Sequence, residues 1–193
     1  MKVVIIRYNA GNTRSVDFAL KRLGVKAVLT DDPHLIRTAD KVIFPGVGEA
    51  STTMRYLRER DLDIVIKELK QPVLGICLGL QLMCVHSEEG DTKCLGIFNE
   101  LVVRFGPDRK VPHMGWNEVE QTRGRLFDTS TEHQYMYFVH SYFAATGPDT
   151  VAVTDYKGYF SAAFEKDNFF ATQFHPEKSG SAGERLLAKF LKL

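Results

Sequence analysis

Val73-Leu74-Gly75-Ile76-Cys77-Leu78-Gly79-Leu80-Gln81 passes from a wholly apolar strand into the opening of a helix, with a cysteine at the junction. A strand that is apolar without alternation is buried on both faces, as in a parallel sheet covered by helices. A sharp strand-to-helix turn exposes the residue at its apex on the carboxyl edge of such a sheet. Gly75 and Gly79 leave room there where a β-carbon would clash. The pattern Gly-x-Cys-x-Gly therefore reads as a nucleophile elbow with cysteine in place of serine, and the start of the following helix favours negative charge on the thiol. The plainer alternative is a buried cysteine between two incidental glycines.

Upstream of this stretch, apolar runs and helix-period segments alternate. Strands are predicted at residues 2–8, 26–29 and 41–44. Val16, Ala19, Leu20 and Leu23 form one helical stripe between the first two, closed by Gly24 as a C-cap. Further helices are expected around Met54 and Leu57 and over residues 64–69. Strand, helix, strand in succession implies right-handed crossovers onto a parallel sheet with helices on both faces. Downstream of Leu95 the texture changes to strand-like pieces at 100–105, 117–120, 135–139, 151–154, 160–164 and 169–174, which read as antiparallel or mixed sheet. A last amphipathic helix over 182–191 carries Leu186, Leu187, Phe190 and Leu191 on its apolar side and is expected to dock back on the main sheet. With no repeats, low-complexity segments or linkers, residues 1–193 read as a single domain of α/β class, its open mixed sheet mostly parallel in the first half.

Composition narrows the function. Of 193 residues, 44% are hydrophobic and 25% charged, which suits one ordinary core. Lys and Arg number 25 against 24 Asp and Glu, so no charge excess argues for nucleic acid or an anionic membrane, and a small neutral or zwitterionic substrate fits better. The apolar run before Arg7 is too short for a signal peptide and no later run approaches a membrane span, so a cytoplasmic location is expected. Cys77, Cys84 and Cys94 are an odd number without a C-x-x-C pair, which fits neither a disulfide framework nor a zinc site. They are expected as free thiols in a reducing compartment.

A second signal is His175-Pro176-Glu177, between an apolar strand and the last helix. Pro176 keeps His175 out of helical conformation. In an extended segment residues two apart project to the same side, so Glu177 can reach one imidazole nitrogen and leave the other for Cys77. Nucleophile, base and orienter is the arrangement of covalent catalysis. The alternative is a surface histidine beside a glutamate that favours the helix start. A third signal, Pro45-Gly46-Val47-Gly48, also falls at the carboxyl end of a predicted parallel strand, the edge where open α/β sheets bind ligands. The amide of Val47 or Gly48 can there join that of Leu78 in holding an oxyanion, and a peptide flanked by glycines can rotate toward or away from that task. A phosphate loop is the competing reading, but no Gly-Lys-Ser/Thr follows.

In this order, the three motifs resemble those of the class I (triad) glutamine amidotransferases, over nearly the whole chain. Tyr8-Asn9-Ala10-Gly11-Asn12, PGVG followed by Glu49, GICLGLQ (75–81), His113-Met114-Gly115-Trp116-Asn117 and His175-Pro176-Glu177-Lys178-Ser179 are similar, more narrowly, to the glutaminase subunits of imidazole glycerol phosphate synthases. HMGWN is the most discriminating of them. The resemblance implies a flavodoxin-like fold, no cofactor or metal, and a partner cyclase with a (β/α)8 barrel that receives ammonia and forms a heterodimer with this chain. It implies that Cys77 attacks the side-chain amide of L-glutamine, that His175 acts as base and acid, and that Glu177 orients it. Leu78 with Val47 or Gly48 would hold the oxyanion, Gln81 and Glu89 would contact the substrate, and the backbone of His140-Ser141-Tyr142 would hold its amino acid end. Asn12, Trp116, Asn117 and Lys178 would face the cyclase. Glu89 can equally be one charge in a solvated run, Trp116 a core aromatic and Lys178 a solvated lysine. Departures from the pattern are Asn9-Ala10, where relatives have a Gly- or Pro-containing turn, and the short stretch 91–109. Cys84 and Cys94 receive no role. Rival readings are another cysteine-elbow protein of this architecture, a non-catalytic glutamine-binding regulatory domain, and an amidotransferase subunit of a pyridoxal, aminobenzoate or surface-sugar pathway.

Overall fold

A computed structural model describes residues 1–8, 13–128 and 132–193. The chain runs β1 (Val3–Ile6), α1 (Thr13–Arg22), β2 (Val28–Thr30), α2 (Pro33–Arg37), β3 (Lys41–Phe44), α3 (Ala50–Arg58), α4 (Leu62–Glu68), β4 (Val73–Ile76) and α5 (Leu78–Met83). Then follow β5 (His86–Ser87), β6 (Thr92–Lys93), β7 (Leu101–Arg104), β8 (His113–Val119), β9 (Gln134–His140), β10 (Tyr142–Ala144), β11 (Thr150–Asp155), β12 (Tyr159–Lys166), β13 (Phe169–Thr172), a 3-10 turn (Pro176–Lys178) and α6 (Gly180–Lys192).

The main sheet has the order β11-β12-β13-β4-β3-β1-β2. β2, β1, β3, β4 and β13 are parallel, and β12 and β11 close one edge antiparallel. The order 2-1-3-4 is the flavodoxin-like doubly wound arrangement. Alternation along the strands assigns each face. Val4, Ile6, Val42, Phe44 and Val73 pack with α2 to α5, while Val3, Ile5, Ile43, Leu74 and Ile76 pack with α1, α6 and the inner side of β9. Every one of these strand residues is buried, which is why the strands carry no polar alternation.

β3 and β4 match their predicted bounds, and Gly24 ends α1 as predicted. At φ +77 it lets Val25 N–H reach the Leu20 carbonyl (2.9 Å) and its own N–H reach that of Lys21 (3.0 Å), a Schellman closure. α2 is not among the predicted elements, although Asp32 caps it through the amides of His34 and Leu35 and Pro33 opens it. Neither are β5, β6 and β10, which at two or three residues each are too short to show a period. The strand predicted at 117–120 begins four residues earlier, at His113. β8 pairs with β9 along its whole length from His113↔His140 to Val119↔Gln134. Cross-strand pairing, not apolar alternation, makes the polar HMGWN segment a strand.

Candidate active site

Three neighbouring parallel strands end at one place: β3 leads into Pro45 to Glu49, β4 into Cys77, and β13 into Gln173 to Glu177. Cys77 takes φ +51 and ψ −104, a conformation that L-residues rarely adopt and that lifts its side chain off the sheet edge. Its amide donates to the Thr172 carbonyl at 2.7 Å. The glycines around it are required by contact. A β-carbon on Gly79 would lie 2.2 Å from the Phe44 carbonyl oxygen, and one on Gly46 would lie 2.4 Å from the amide nitrogen of Gly79. Cys77 stands at the N-cap of α5, which is only six residues long. The side-chain partner of the thiol comes from another strand.

That partner is His175. Its Nδ1 lies 2.8 Å from Glu177 Oε1, with both side chains 1% exposed. Its Nε2 has no acceptor of full hydrogen-bond geometry, a looseness common in catalytic pairs before substrate binds. Burial by itself would lower the pKa of His175. The charge and weak hydrogen bond of Cys77, followed by the hydrogen bond and charge of Glu177, outweigh burial and raise it well above the ordinary imidazole range. Cys77 and His175 thus stand as nucleophile and base, with Glu177 behind the base. Ser179 locks the geometry: its hydroxyl accepts from Tyr137 N–H (3.0 Å) and donates to the His175 carbonyl (2.6 Å), and His175 N–H donates to the Tyr137 carbonyl (2.9 Å).

A cavity of about 290 Å³ opens over the thiol, lined by Gly46, Val47, Gly48, Cys77, Leu78, Gln81, Glu89, Pro112 and residues 139–142. The residues expected as oxyanion donors and substrate contacts therefore come together in one place. Leu78, the first residue of its helix, has no carbonyl one turn earlier to receive its N–H. The loop 46–48 is held at both ends, since the buried Tyr8 hydroxyl donates to the Pro45 carbonyl and Ala50 N–H donates to Glu89 (2.8 Å). Gly46 is pinned against Gly79, so peptide rotation is left to Val47 and the exposed Gly48, at φ +133. Glu49 caps α3 through the amides of Ser51 and Thr52. Burial would raise its pKa, but the hydrogen bond from the Ser51 hydroxyl (2.9 Å), with those from the two amides, holds it down at about 2. Burial, only partly offset by the bond from Ala50, raises that of Glu89.

Other residues behave differently from their expected roles or were overlooked. Gln81 Nε2 is engaged within the protein, donating to the Tyr142 carbonyl (2.7 Å) and to Gln173 Oε1 (3.0 Å). Gln173 Nε2 lies 3.6 Å from Cys77 Sγ. The sequence reading gave Gln173 no role, although a glutamine within the apolar run before His175 is a signal of a buried polar task. Asn117, expected toward a partner, turns its amide inward to His113 and to the Asp155 carbonyl. Trp116 is 55% exposed, which removes the core reading, and it packs edge-on against Tyr137 at 6.0 Å. The exposed Lys178 amine lies over the same Tyr137 ring. Asn12 lies outside the described residues. Cys84 and Cys94 are buried free thiols in the core on the α5 side.

A cysteine elbow facing a buried His–Glu pair on a flavodoxin-like sheet defines a class of enzyme, the amidotransferases that take ammonia from glutamine through a thioester. The family model "Glutamine amidotransferase class-I" matches residues 4–193, and the chain belongs to this family. Its relatives are more particular. It is 61% identical over 196 residues to the imidazole glycerol phosphate synthase subunit HisH of Bacteroides fragilis, covering 100% of both chains. It is 60% identical to that of Bacteroides thetaiotaomicron, and 46% identical to that of Idiomarina loihiensis with 98% of the latter covered. Among solved structures, one titled glutamine amidotransferase superposes with a TM-score of 0.76 at 21% identity, covering 98% of this chain and 97% of that one. A glutamine amidotransferase from Thermotoga maritima gives 0.66 at 18% identity, covering 99% and 82%. At such identities these two speak for the fold.

Proposed function

We propose that this chain is the glutaminase of imidazole glycerol phosphate synthase in histidine biosynthesis, and that Cys77, His175 and Glu177 are its catalytic triad. The observation that carries the assignment of residues is the buried His175–Glu177 pair, 2.8 Å apart, set beside Cys77 where the thiol enters a cavity sized for an amino acid. The thiolate attacks the side-chain carbonyl carbon of glutamine, and the carbonyl electrons move to oxygen, held by the amides of Leu78 and of Val47 or Gly48. On collapse His175 gives its Nε2 proton to the departing nitrogen, so ammonia leaves and a thioester remains. His175, now neutral, takes a proton from water as its oxygen attacks the thioester, and expulsion of the sulfur yields glutamate and restores the pair. Glu177 stays ionised and keeps the imidazole oriented.

Glu89 is suited to the α-ammonium of glutamine, since a half-buried carboxylate with a raised pKa gains by pairing with a cation. The backbone of residues 140–142 also lines the cavity and would take the α-carboxylate side. Ammonia passes to a partner cyclase, a (β/α)8 barrel that makes imidazole glycerol phosphate and AICAR. Exposed Trp116, Lys178 and Asn117's strand form the docking face. A cytoplasmic location agrees with three free thiols. The test is Cys77→Ala in the complex with the cyclase: glutamine-dependent synthesis is abolished while synthesis from ammonium salts survives. Equal loss of both would mark a structural cysteine, and retention of both would end the assignment.

A further inference from the structure

The HMGWN strand and the cavity wall are joined by a line of polar contacts, running through two buried histidines, that the triad does not use. Tyr142 C=O accepts from His140 Nδ1 (2.8 Å), His140 Nε2 meets His113 Nδ1 (3.0 Å), and His113 Nε2 meets Asn117 Nδ2 (3.2 Å). Asn117 Nδ2 also donates to the Asp155 carbonyl (3.0 Å), and Asn117 Oδ1 accepts from Glu118 N–H (2.8 Å).

The two ends of this line fix the position of every proton. A carbonyl only accepts, so the hydrogen on His140 is at Nδ1 and its Nε2 is an acceptor. Asn117 Oδ1 is held by Glu118, so its amide hydrogens point inward, one to Asp155 and one to His113 Nε2. His113 Nε2 is therefore an acceptor and its hydrogen is at Nδ1, where His140 Nε2 receives it. No other arrangement of neutral rings satisfies both ends. A proton added to either ring would set N–H against N–H. Packing agrees with neutrality. His113 lies between Tyr156 (4.1 Å) and Phe138 (5.0 Å), and His140 lies beside Phe105 (5.2 Å) and Phe160 (5.3 Å). Burial holds the two imidazoles down at about 4 and about 3; at His140 the bond to the Tyr142 carbonyl opposes burial, and repulsion from His113 and His175 adds to it. Phenylalanine would fill such an aromatic cage equally well. The nitrogens therefore serve something other than packing.

We propose that His113 and His140 are positioning residues for substrate binding: an oriented chain of hydrogen bonds from Asn117 through both imidazoles fixes the Tyr142 carbonyl, and with it the 140–142 wall of the cavity. The same carbonyl accepts from Gln81, which holds Gln173 against Cys77, so the wall is also set relative to the nucleophile. The proposal rests on the reading of this cavity as the glutamine site. It adds that side chains of the HMGWN strand shape that site from within.

The test has a spectroscopic arm and a kinetic arm. In the full-length protein, histidine-selective nitrogen NMR should show His113 and His140 as neutral rings protonated at Nδ1, at pH 7 and still at pH 5. In the complex with the cyclase, His113→Phe should raise the KM for glutamine about tenfold with a smaller change in kcat, since one buried charge-free hydrogen bond is lost from a wall that holds the substrate's unreactive end. His113→Gln, which again offers one donor and one acceptor, should recover part of the loss. If His113→Phe fails to fold, Asn117→Leu removes the donor to His113 Nε2 and should likewise raise the KM for glutamine. Either ring found charged or protonated at Nε2 in the unmodified protein overturns the proposal, as does an unchanged KM in a folded variant. Lack of any glutamine hydrolysis by the unmodified complex would overturn the glutaminase reading instead, and the tautomers tell the two failures apart.

Discussion

Replacing Gly79 by alanine tests whether the elbow works by contact geometry. Its β-carbon would sit 2.2 Å from the Phe44 carbonyl oxygen, where contacts under 3.0 Å are essentially never found. The junction of β3 and α5 must therefore open by at least 0.8 Å, the difference of these distances. Both partners are backbone, so no side chain can swing aside to absorb it. The opening carries the Leu78 amide and Cys77 away from the loop 46–48, and a misplacement on the order of 1 Å costs about 10²-fold in turnover. Overpacking should also cost about 1–3 kcal/mol of stability, or several degrees in melting temperature. Steady-state glutaminase assays of the complex, beside thermal melts, read both effects. Gly24→Ala is the control. Gly24 has open space around it but φ +77, so alanine there should lose about 1 kcal/mol of stability with unchanged turnover. Full turnover in a folded Gly79→Ala protein would refute the argument. An equal loss in Gly24→Ala would show that turnover merely follows stability.

Glu177→Gln keeps the shape and a hydrogen-bond acceptor for His175 but removes a charge that raises its pKa, so turnover should fall about ten- to a hundredfold. The sign for pH follows: imidazolium is lost as pH rises through the folded pKa, so the alkaline limb of kcat/KM should move to lower pH, and an unmoved limb would count against Glu177 as the brace. His113 and His140 act in the opposite direction on stability. Their folded values of about 4 and about 3 lie below 6.5, so the unfolded chain takes up more protons, and stability present above pH 6.5 is lost as pH falls toward 4. At pH 5 each should cost about 2 kcal/mol, and urea unfolding at pH 7 and pH 5 should show His113→Phe losing less than the unmodified protein. Trp116→Ala with Lys178→Ala should weaken cyclase binding measured by calorimetry and leave the melting temperature nearly unchanged, because both side chains are exposed. A large drop in melting would place Trp116 in the core after all.

The sequence alone determined the parts of this protein whose physics is local. Doubly buried strands announce themselves as apolar runs, so β1, β3 and β4 are legible, and so is Gly24 as a helix stop. Gly-x-Cys-x-Gly was legible because only glycine tolerates the crowding at the elbow, and His-Pro-Glu because proline and two-residue spacing fix which way the side chains project. Only the tertiary structure decided matters that depend on residues far apart in the chain. Gln173 meets Gln81 across 92 residues and His113 meets His140 across 27, contacts that leave no period in the sequence. Trp116 and Asn117 are adjacent, and nothing local says that one is exposed while the other turns inward; the pairing of β8 with β9 and the Asp155 carbonyl decide that. The basic partner of the Cys77 thiol is an imidazole 98 residues away in the chain, which the elbow motif by itself does not reveal. Side-chain polarity and backbone preference are written residue by residue, whereas the field at a site is the sum over whatever the fold brings within a few ångströms.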